Sequence, residues 1–487
     1  METSGLRRPD GSYAGALTDE NIRAVFDGAG DFNRRELHIG EIIIYVYAID
    51  GLTSGGDISE FVVKPLMQDS SAENAAALYE RALHSTVYNS VAEPCKKLDD
   101  AANKLVNGFA VALFPGAGAI AFEDKTGEKR SPSAPEVENT VKGPKDAFTE
   151  TVRTNTSLLR RHLRTPALRL YETKVGRRSL TNVSVAYIDG LTDPALVEKM
   201  KARLDAIDID GLITPSAVEE YVTGSRPTAF PLLQYTERTD RFAQGLLDGR
   251  VGLLVDGLPQ GYLAPVDLGY LMISAEDQGM DYLSASFLRV LRYLAMLAGL
   301  FLPALYVAMA AFHPEMLPTQ LLEAVIESKQ SVPFPTILEV LGLLVAFELL
   351  QEASVSLPQS VGQSLSIIGG LVVGTAAVEA KLISPAALIV VAAAGICGFA
   401  LPGRGLAAAL RLWRLVLAVL ASLAGLYGMT LGALALLVHL SGLESLGQPY
   451  LAPFSAVSGK NSLLRRRLIR NKFRDSALHP QDLRRQE

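Results

Sequence analysis

The chain has 487 residues, and its acidic residues exceed its basic residues by 52 to 46. This near balance argues against a protein whose whole surface binds nucleic acid or another polyphosphate. Hydrophobic residues make up 49% of the chain, and the mean hydropathy is +0.22. Residues 293–441 hold only twelve charged side chains, which excludes a purely soluble protein. Cys95 and Cys397 lie in regions of different composition, which excludes a disulfide framework.

The first 285 residues carry an internal repeat. Residues 41–66 and residues 182–207 each predict a strand, an Asp-Gly turn and a helix, with the turns at Asp50 and Asp189. Asp tolerates a turn and Gly supplies a positive φ. A turn between a strand and a helix therefore explains both Asp-Gly pairs better than a metal or ligand role.

Each copy also predicts a later strand, at residues 108–113 and 250–255. We therefore expect an α/β soluble region of two related subdomains, residues 1–135 and 180–288. No phosphate loop, dinucleotide fingerprint, nucleophile elbow or metal-binding histidine pair occurs in the sequence. We predict no enzyme, no catalytic residue, no cofactor and no metal site.

Between the subdomains, residues 136–179 are expected to form a linker and a basic amphipathic helix. The helix is predicted over residues 143–166, with arginines on or near its polar faces at Arg153, Arg160, Arg161 and Arg164. Such a helix could contact phosphate or lipid, but packing against the acidic body of the protein is the preferred interpretation.

Residues 289–441 predict an all-α polytopic membrane domain, which a basic tail follows at 442–487. The first span follows Arg289 and Arg292, and about twenty residues without charge are enough to cross ~30 Å of hydrocarbon. The basic flank and the lack of an apolar N-terminal segment predict cytoplasmic N-terminal domains. The predicted spans are residues 290–312, 336–352, 364–380, 385–401 and 406–440.

If each of these five segments crosses the membrane once from a cytoplasmic N-terminus, the basic tail lies outside the cell. Short basic flanks, however, favour the cytoplasm. Either the segments at 364–401 do not make two full passages, or the last run bends back near Gly425 and Gly428. An interfacial first part of that run, entering the membrane at about Leu415, is also expected. About four to six spans remain open, and the tail is either solvated or in contact with lipid headgroups.

The apolar half contains acids that need a cavity, a partner or a proton, because a carboxylate at the centre of a membrane helix costs ~2.5 kcal/mol or more. Glu348 and Glu352 lie one helical turn apart, and Glu379 ends a Gly-rich segment. In a ring of copies these acids would line a central aqueous path. The alternative is that Glu348 and Glu352 lie at the cytoplasmic interface and pair with basic residues there, namely Arg404, Arg411 or Arg414.

The loop after the first span is acidic and contains Glu315, Pro333 and Pro335. Broken helices are tolerated where protein or water satisfies the freed backbone groups. These three residues are therefore candidates for a loop or gate, although prolines are also common in plain loops.

Seven blocks of sequence follow one another along the chain: GPKDAFTETVRTNTSLLRRHLRTP (143–166), FPLLQYTERTDR (230–241), GRVGLLVDGLP (249–259), HPEMLPTQLL (313–322), VPFPTILEVL (332–341), ELLQEASVSLP (348–358) and IIGGLVVGTAAVEAKLISP (367–385). In this order they resemble the A subunit of GerA-type spore germinant receptors. The similarity runs from about Glu41 to Pro453.

The resemblance implies a protein of the inner spore membrane of a Firmicute that forms endospores. It also implies two partners, a B subunit similar to amino-acid transporters and a C-subunit lipoprotein. Members of this family are thought to form a homo-oligomeric, nutrient-gated ion channel that triggers germination by releasing cations and then dipicolinic acid. Recognition of the germinant resides mainly in the B-type partner.

The family commonly reads Asn-Thr-Glu-Arg-Pro-Asp where this chain has YTERTD at 235–240. We expect Glu237 and Arg238, which match the family, to hold the soluble domain against the membrane unit. Two alternatives stay open: a scaffold that assembles the partners without conducting ions, and the related A-like protein associated with the dipicolinate channel.

Overall fold

The computed structural model describes residues 6–8, 11–69, 72–124, 135, 138, 142–224, 227–356, 374–452 and 454. The chain forms two compact units. The first contains Met1–Ser225 and Leu233–Pro265, and the second contains Arg226–Leu232 and the chain that begins at Val266. The predicted span at 364–380 lies largely outside the described residues, and so does most of the basic tail.

The first unit contains two five-stranded sheets with equivalent strand orders, β1-β2-β4-β5-β3 and β6-β7-β9-β10-β8. All ladders between these strands are antiparallel, and hairpins connect β1 to β2, β4 to β5, β6 to β7 and β9 to β10. The strands are β1 Phe32–Ile39, β2 Ile42–Ile49, β3 Ala92–Cys95, β4 Phe109–Phe114, β5 Gly118–Glu123, β6 Leu168–Val175, β7 Thr181–Ile188, β8 Gln234–Thr236, β9 Val251–Val255 and β10 Gly261–Ala264.

Helices cover both faces of the first sheet, and β4 is therefore buried at every position. One face packs on α1 and α5, and the other packs on the π-helix Ile58–Val63, α3 and α4. The helices of this unit are α1 Asp19–Val25, α2 Gly55–Asp57, α3 Lys64–Gln68, α4 Ala75–Arg81, α5 Leu98–Val106, α6 Val152–His162, α7 Pro194–Asp205, α8 Pro215–Thr223 and α9 Thr239–Leu247, with a second π-helix at Ala82–Thr86.

Both Asp-Gly pairs form turns after the central strands, as predicted. Gly51 has φ 82° and Gly190 has φ 75°, a backbone conformation that residues with a Cβ rarely adopt. The preceding carboxylates bind arginines, Asp50 to Arg153 at 3.2 Å and Asp189 to Arg169 at 3.3 Å. The turn interpretation therefore accounts for the repeat.

The second sheet begins earlier than the sequence indicates. Strand β6 lies inside the segment 136–179, which the sequence analysis assigns to a linker and a helix, and it pairs with β7 from Leu168 opposite Ile188 to Val175 opposite Thr181. The strand reads LRLYETKV, and its charged residues interrupt the apolar alternation that identifies a strand.

The basic helix is shorter than predicted and packs against the body of the first unit. Helix α6 begins only at Val152, because the Asn155 side chain accepts from Thr149 N at 2.7 Å and donates to Thr149 O at 2.6 Å, which holds the preceding turn. Arg160 is 1% exposed and binds Asp31, while Ser157 Oγ donates to the Gly51 carbonyl at 2.7 Å. The packing interpretation therefore holds for this helix.

The second unit is helical. Among the described residues, two helices are long and apolar enough to cross a membrane, as judged by length and composition: Tyr282–Phe312 and Arg404–Ser441. The helices are α10 Leu268–Leu271, α11 Tyr282–Phe312, α12 Thr319–Lys329, α13 Thr336–Ser356, α14 Pro385–Phe399 and α15 Arg404–Ser441, with 3₁₀ turns at Ala275–Gln278 and Pro314–Met316 and a short ladder of β11 Glu444–Ser445 with β12 Gln448–Pro449.

Helix α15 turns back on itself at a corner formed by Ala424 and Gly425. Gly425 has φ 58° and ψ −138°, which breaks the helix. The rings of Trp413 and His439 lie 5.7 Å apart, whereas a straight helix would separate them by about 40 Å at 1.5 Å per residue. A Cβ placed on Gly428 would lie 2.0 Å from the Leu420 carbonyl oxygen, so the two arms are in close contact.

This corner corresponds to one of the two solutions that the sequence left open, namely a last run that bends back near Gly425. The first arm is one continuous helix from Arg404 to the corner, and the expected entry into the membrane at about Leu415 stays a prediction. Arg411 and Arg414 can lie inside the bundle since both bind a carboxylate there.

Candidate functional site

Two arginines of α15 hold Glu348 of α13. Arg411 Nη1 donates to Glu348 Oε2 at 3.0 Å, and Arg414 Nη2 donates to Oε1 at 3.2 Å. Arg411 also donates to the Gln351 side chain. The Arg414 side chain is 6% exposed, and that of Arg411 is 30% exposed. The ion pair weighed above as the alternative is present within one copy of the chain, and the pore role of Glu348 stays a prediction.

Glu352 lies one helical turn after Glu348 on the same face of α13, and its side chain is exposed. That face includes Val345, which is 48% exposed, and Leu349, which is 65% exposed. Glu379 is also exposed and ends the helical residues 374–379, outside the cluster around Glu348. The structure therefore places Glu348 against two arginines and leaves the side chains of Glu352 and Glu379 exposed.

Glu339 is a buried acid to which sequence reasoning assigns no role. It is 2% exposed, and its Oε2 accepts from Ser384 N at 2.9 Å. Ser384 is the N-cap of α14, where its own Oγ accepts from Ala387 N at 3.4 Å. Unpaired N–H groups and the helix dipole stabilise a carboxylate at this position. The Ser-Pro pair at 384–385 is a recognisable helix start that could have indicated this contact.

A second buried acid lies at the start of the first predicted span. Asp277 is 0% exposed and binds Arg289 Nε at 2.8 Å and Arg292 Nη2 at 2.7 Å. Both arginines were recognised in the sequence as a basic flank, whereas their shared carboxylate was not. The cluster fixes the 3₁₀ turn at Ala275–Gln278 to the first turns of α11.

Glu237 and Arg238 lie in the first unit. Arg238 is 1% exposed and donates to both carboxylate oxygens of Asp240, at 3.0 and 2.7 Å. The Glu237 carbonyl accepts from Phe148 N at 2.7 Å. These contacts anchor the start of α9 within its own unit, and the expected interdomain role of the pair stays a prediction.

A hydrogen-bonded group joins the same corner to the end of α6. Asp146 Oδ2 lies 2.7 Å from His162 Nε2 and accepts from Thr239 Oγ1 at 2.6 Å. The hydrogen bond from His162 lowers the pKa of Asp146 to about 2, and the same bond raises the pKa of His162 above its ordinary value. Sequence reasoning missed this group, because its members lie far apart in the chain.

The three candidate gate residues lie in the connections around α12. Glu315 is in the 3₁₀ turn after α11, 3.5 Å from His313 Nδ1 and largely exposed. Pro333 and Pro335 are exposed and precede α13, and the Pro335 carbonyl accepts from Leu338 N at 2.9 Å and from Glu339 N at 3.2 Å. Pro335 therefore begins α13, and a gating role for these residues stays a prediction.

Ser445 joins two segments by which the chain enters the second unit. Its buried Oγ accepts from Val266 N at 2.9 Å and donates to the Leu232 carbonyl at 2.6 Å. The Tyr450 carbonyl adds a bond from Leu268 N at 2.9 Å. The residues after α15 therefore hold both of these segments by hydrogen bonds. The sequence contained no signal for this contact, because the short β11-β12 hairpin has no strand pattern.

Comparison with known proteins gives a consistent result. The family model described as Bacillus/Clostridium GerA spore germination protein matches residues 20–481. The uncharacterized membrane protein YfkQ of Bacillus subtilis is 35% identical over 90% of this chain and 85% of its own length. Spore germination protein KA of the same organism is 37% identical over 88% of this chain and 80% of its own length.

A solved structure is also similar, the N-terminal domain of the A subunit of the Bacillus megaterium spore germinant receptor GerK3. It is 26% identical, with a TM-score of 0.40, and the match covers 52% of this chain and 96% of the solved one.

Proposed function

Because the chain belongs to the GerA family of Bacillus/Clostridium spore germination proteins, we propose that it is the A subunit of a nutrient germinant receptor. In this proposal it is not an enzyme. Copies of the chain assemble in the inner spore membrane around an ion path, which opens in response to the germinant and starts germination.

The observation that carries the proposal is the position of Glu352 on the exposed face of α13. Its neighbours on that face, Val345 and Leu349, are apolar and exposed, as in a surface that meets lipid or another subunit. A carboxylate facing lipid is costly, whereas a carboxylate facing a water-filled axis shared by several copies is not. A homo-oligomer would therefore place this face inward.

The bent α15 supports a cytoplasmic location for both ends of the membrane domain. If each arm of α15 crosses the membrane once, the chain returns to the side on which α15 began. An even number of crossings then keeps Arg289, Arg292 and the basic tail on the cytoplasmic side. Helix α14 has 15 residues and rises only about 22 Å, so it would cross where the bilayer is locally thinned.

The receptor as proposed contains two further chains, a B-type transporter-like subunit that recognises the nutrient and a C-type lipoprotein. Glu237 and Arg238 are proposed to position the first unit against the membrane domain. A scaffold that only assembles the partners is the rival function, and the pairing of Glu348 with two arginines of the same copy favours it for that residue.

Cation flux from proteoliposomes tests the proposal. Glu352→Gln should lower the flux of K⁺ without changing the mass of the particle, since the side chain keeps its size and loses only its charge. Glu323→Gln, an exposed acid on α12, is the matched control and should leave the flux unchanged. A protein that binds its partners but passes no ions under any nutrient would contradict conduction and support the scaffold.

A further inference from the structure

We propose that a cleft between α11, α14 and α15 binds the phosphate group of an anionic membrane lipid through Arg411 and Arg414. This inference rests on the proposed location of the second unit in a membrane. The cleft has a volume of about 20 Å³, and its walls are formed by small or apolar residues apart from the two arginines, including Met296, Gly299, Cys397 and Gly398.

An unsatisfied donor indicates that the cleft takes a ligand. Arg414 is 5% exposed, and its Nε has no hydrogen-bond acceptor among the described residues. A buried donor without an acceptor is unfavourable, and more so when the group is charged. The Nε atom itself has almost no accessible surface, so an anion in the cleft would stabilise the guanidinium through its charge and not through a direct bond to Nε.

The charges favour an anion over a water molecule. The two guanidinium groups share one carboxylate, because Glu348 gives one oxygen to Arg411 and the other to Arg414. Glu352, one helical turn after Glu348, does not line the cleft. Positive charge in apolar surroundings is stabilised by an oxyanion, and guanidinium groups bind phosphate oxygens through parallel hydrogen bonds.

The position of the cleft identifies the source of the phosphate. Met296 lies one helical turn, or about 6 Å, after Arg292, which binds Asp277 at the charged start of α11. The arginines of the cleft belong to the first turns of α15, which begins at the exposed Arg404. This is the level of lipid headgroups on the positively charged side of the bundle, where basic pockets between membrane helices bind anionic lipids.

The size and surroundings of the cleft also fit a lipid. A volume of about 20 Å³ accepts one or two oxygen atoms, so the rest of the ligand stays outside the helices. Apolar side chains on α14 are exposed next to the cleft-lining residues, with Ile396 at 70% and Phe399 at 76%. Acyl chains would cover this surface while a phosphate oxygen lies beside Arg411, whose side chain is 30% exposed.

The test measures binding to the purified full-length chain in nanodiscs. Discs of phosphatidylcholine are doped with increasing phosphatidylglycerol, and the melting temperature and the lipids retained in native mass spectrometry are recorded. The wild type should be stabilised by phosphatidylglycerol, and Arg414→Gln and Arg411→Gln should raise the half-saturating lipid content about tenfold. Arg404→Gln, which removes an exposed charge at the same end of α15, should behave as the wild type.

Arg411→Lys keeps the charge and serves if the Gln variants do not fold; it should bind the lipid more weakly than the wild type, because Lys lacks the planar fork of donors. Equal stabilisation of the wild type by both lipids, or an unchanged response of Arg414→Gln, would overturn the site. Stabilisation by inorganic phosphate alone would overturn the lipid source. An absence of ion flux alongside intact lipid dependence would count against the proposed channel and not against this site.

Discussion

Arg160 binds Asp31 through two hydrogen bonds of 2.7 Å, and both side chains are almost completely buried. Arg160 lies on α6, which leads into the second sheet, whereas Asp31 directly precedes β1 of the first sheet. The pair therefore connects the two sheets across the core of the first unit. We expect the sheets to unfold together for this reason.

The first prediction concerns this pair. Arg160→Gln should lower the free energy of unfolding of the first unit by about 3–5 kcal/mol, because it leaves a buried carboxylate without its counter-charge. Arg153→Gln breaks an exposed pair with Asp50 and should cost less than about 1 kcal/mol. Native-state hydrogen exchange of the full chain in β1 and β6 measures both effects. Equal, small losses for the two variants would contradict the connecting role.

The second prediction concerns pH and the group formed by Asp146 and His162. The pKa of His162 is raised, so its contribution is complete below the ordinary value of 6.5 and is lost as the pH rises through the raised pKa. The pKa of Asp146 is lowered to about 2, so its contribution is present above the ordinary value of 3.8 and is lost as the pH falls through about 2. The contact between α6 and α9 is therefore strongest between these two ordinary values.

His162→Gln tests this window. In the wild type, the protection factors of the α9 amides, which are corrected for the intrinsic pH dependence of amide exchange, should be higher at pH 5.5 than at pH 8.5, and the variant should lose that difference. His84→Gln is the control, because the His84 side chain is 70% exposed and lies 3.7 Å from its carboxylate partner. A variant whose pH dependence matches that of the wild type would show that His162 does not titrate in this contact.

The third prediction concerns the corner of α15. Gly425→Ala should destabilise the second unit by about 1–3 kcal/mol, since the backbone conformation there excludes a side chain. The new Cβ would also lie 2.9 Å from Phe312 Cβ. Gly395→Ala on α14 meets open space and should be neutral or stabilising. Thermal unfolding in detergent distinguishes the two variants, and a Gly425→Ala protein as stable as the wild type would argue for a straight α15.

The fourth prediction concerns Ser445. Ser445→Ala leaves Val266 N and the Leu232 carbonyl without their partner, and each buried group left unpaired costs about 1–3 kcal/mol. Hydrogen exchange should rise in residues 228–232 and 266–272. Ser441→Ala removes only an exposed bond within α15 and should leave those segments protected. Unchanged exchange in the Ser445 variant would show that Ser445 does not hold these two segments in place.

Sequence reasoning identified the central strands, their Asp-Gly turns and the helices that begin at Thr336 and Pro385, because these elements carry strong apolar periodicity or a proline start signal. It missed β1 and β6, because their charged residues interrupt the apolar alternation by which a strand is recognised. The bend near Gly425 was one of two ways to obtain a number of membrane crossings that keeps the basic tail in the cytoplasm. Only the observed backbone conformation shows the bend.

The candidate site was predictable in its residues and not in its contacts. Four residues stood out because a charged side chain in an apolar segment costs free energy: Glu348, Glu352, Arg411 and Arg414. Which acid meets which arginine depends on the packing of α13 against α15, and helical periodicity within one segment contains no such information. The same limit applies to Asp277 and Glu339, whose partners lie on other elements.

The mass of the purified full-length chain, solubilised in mild detergent without its partners, tests the central claim most directly. The account predicts a closed particle of several copies, with a mass that is a multiple of 52.2 kDa, since only neighbouring copies can enclose the exposed acid of α13 around water. A particle that contains a single copy would leave Glu352 on an outer surface and would contradict the proposed ion path.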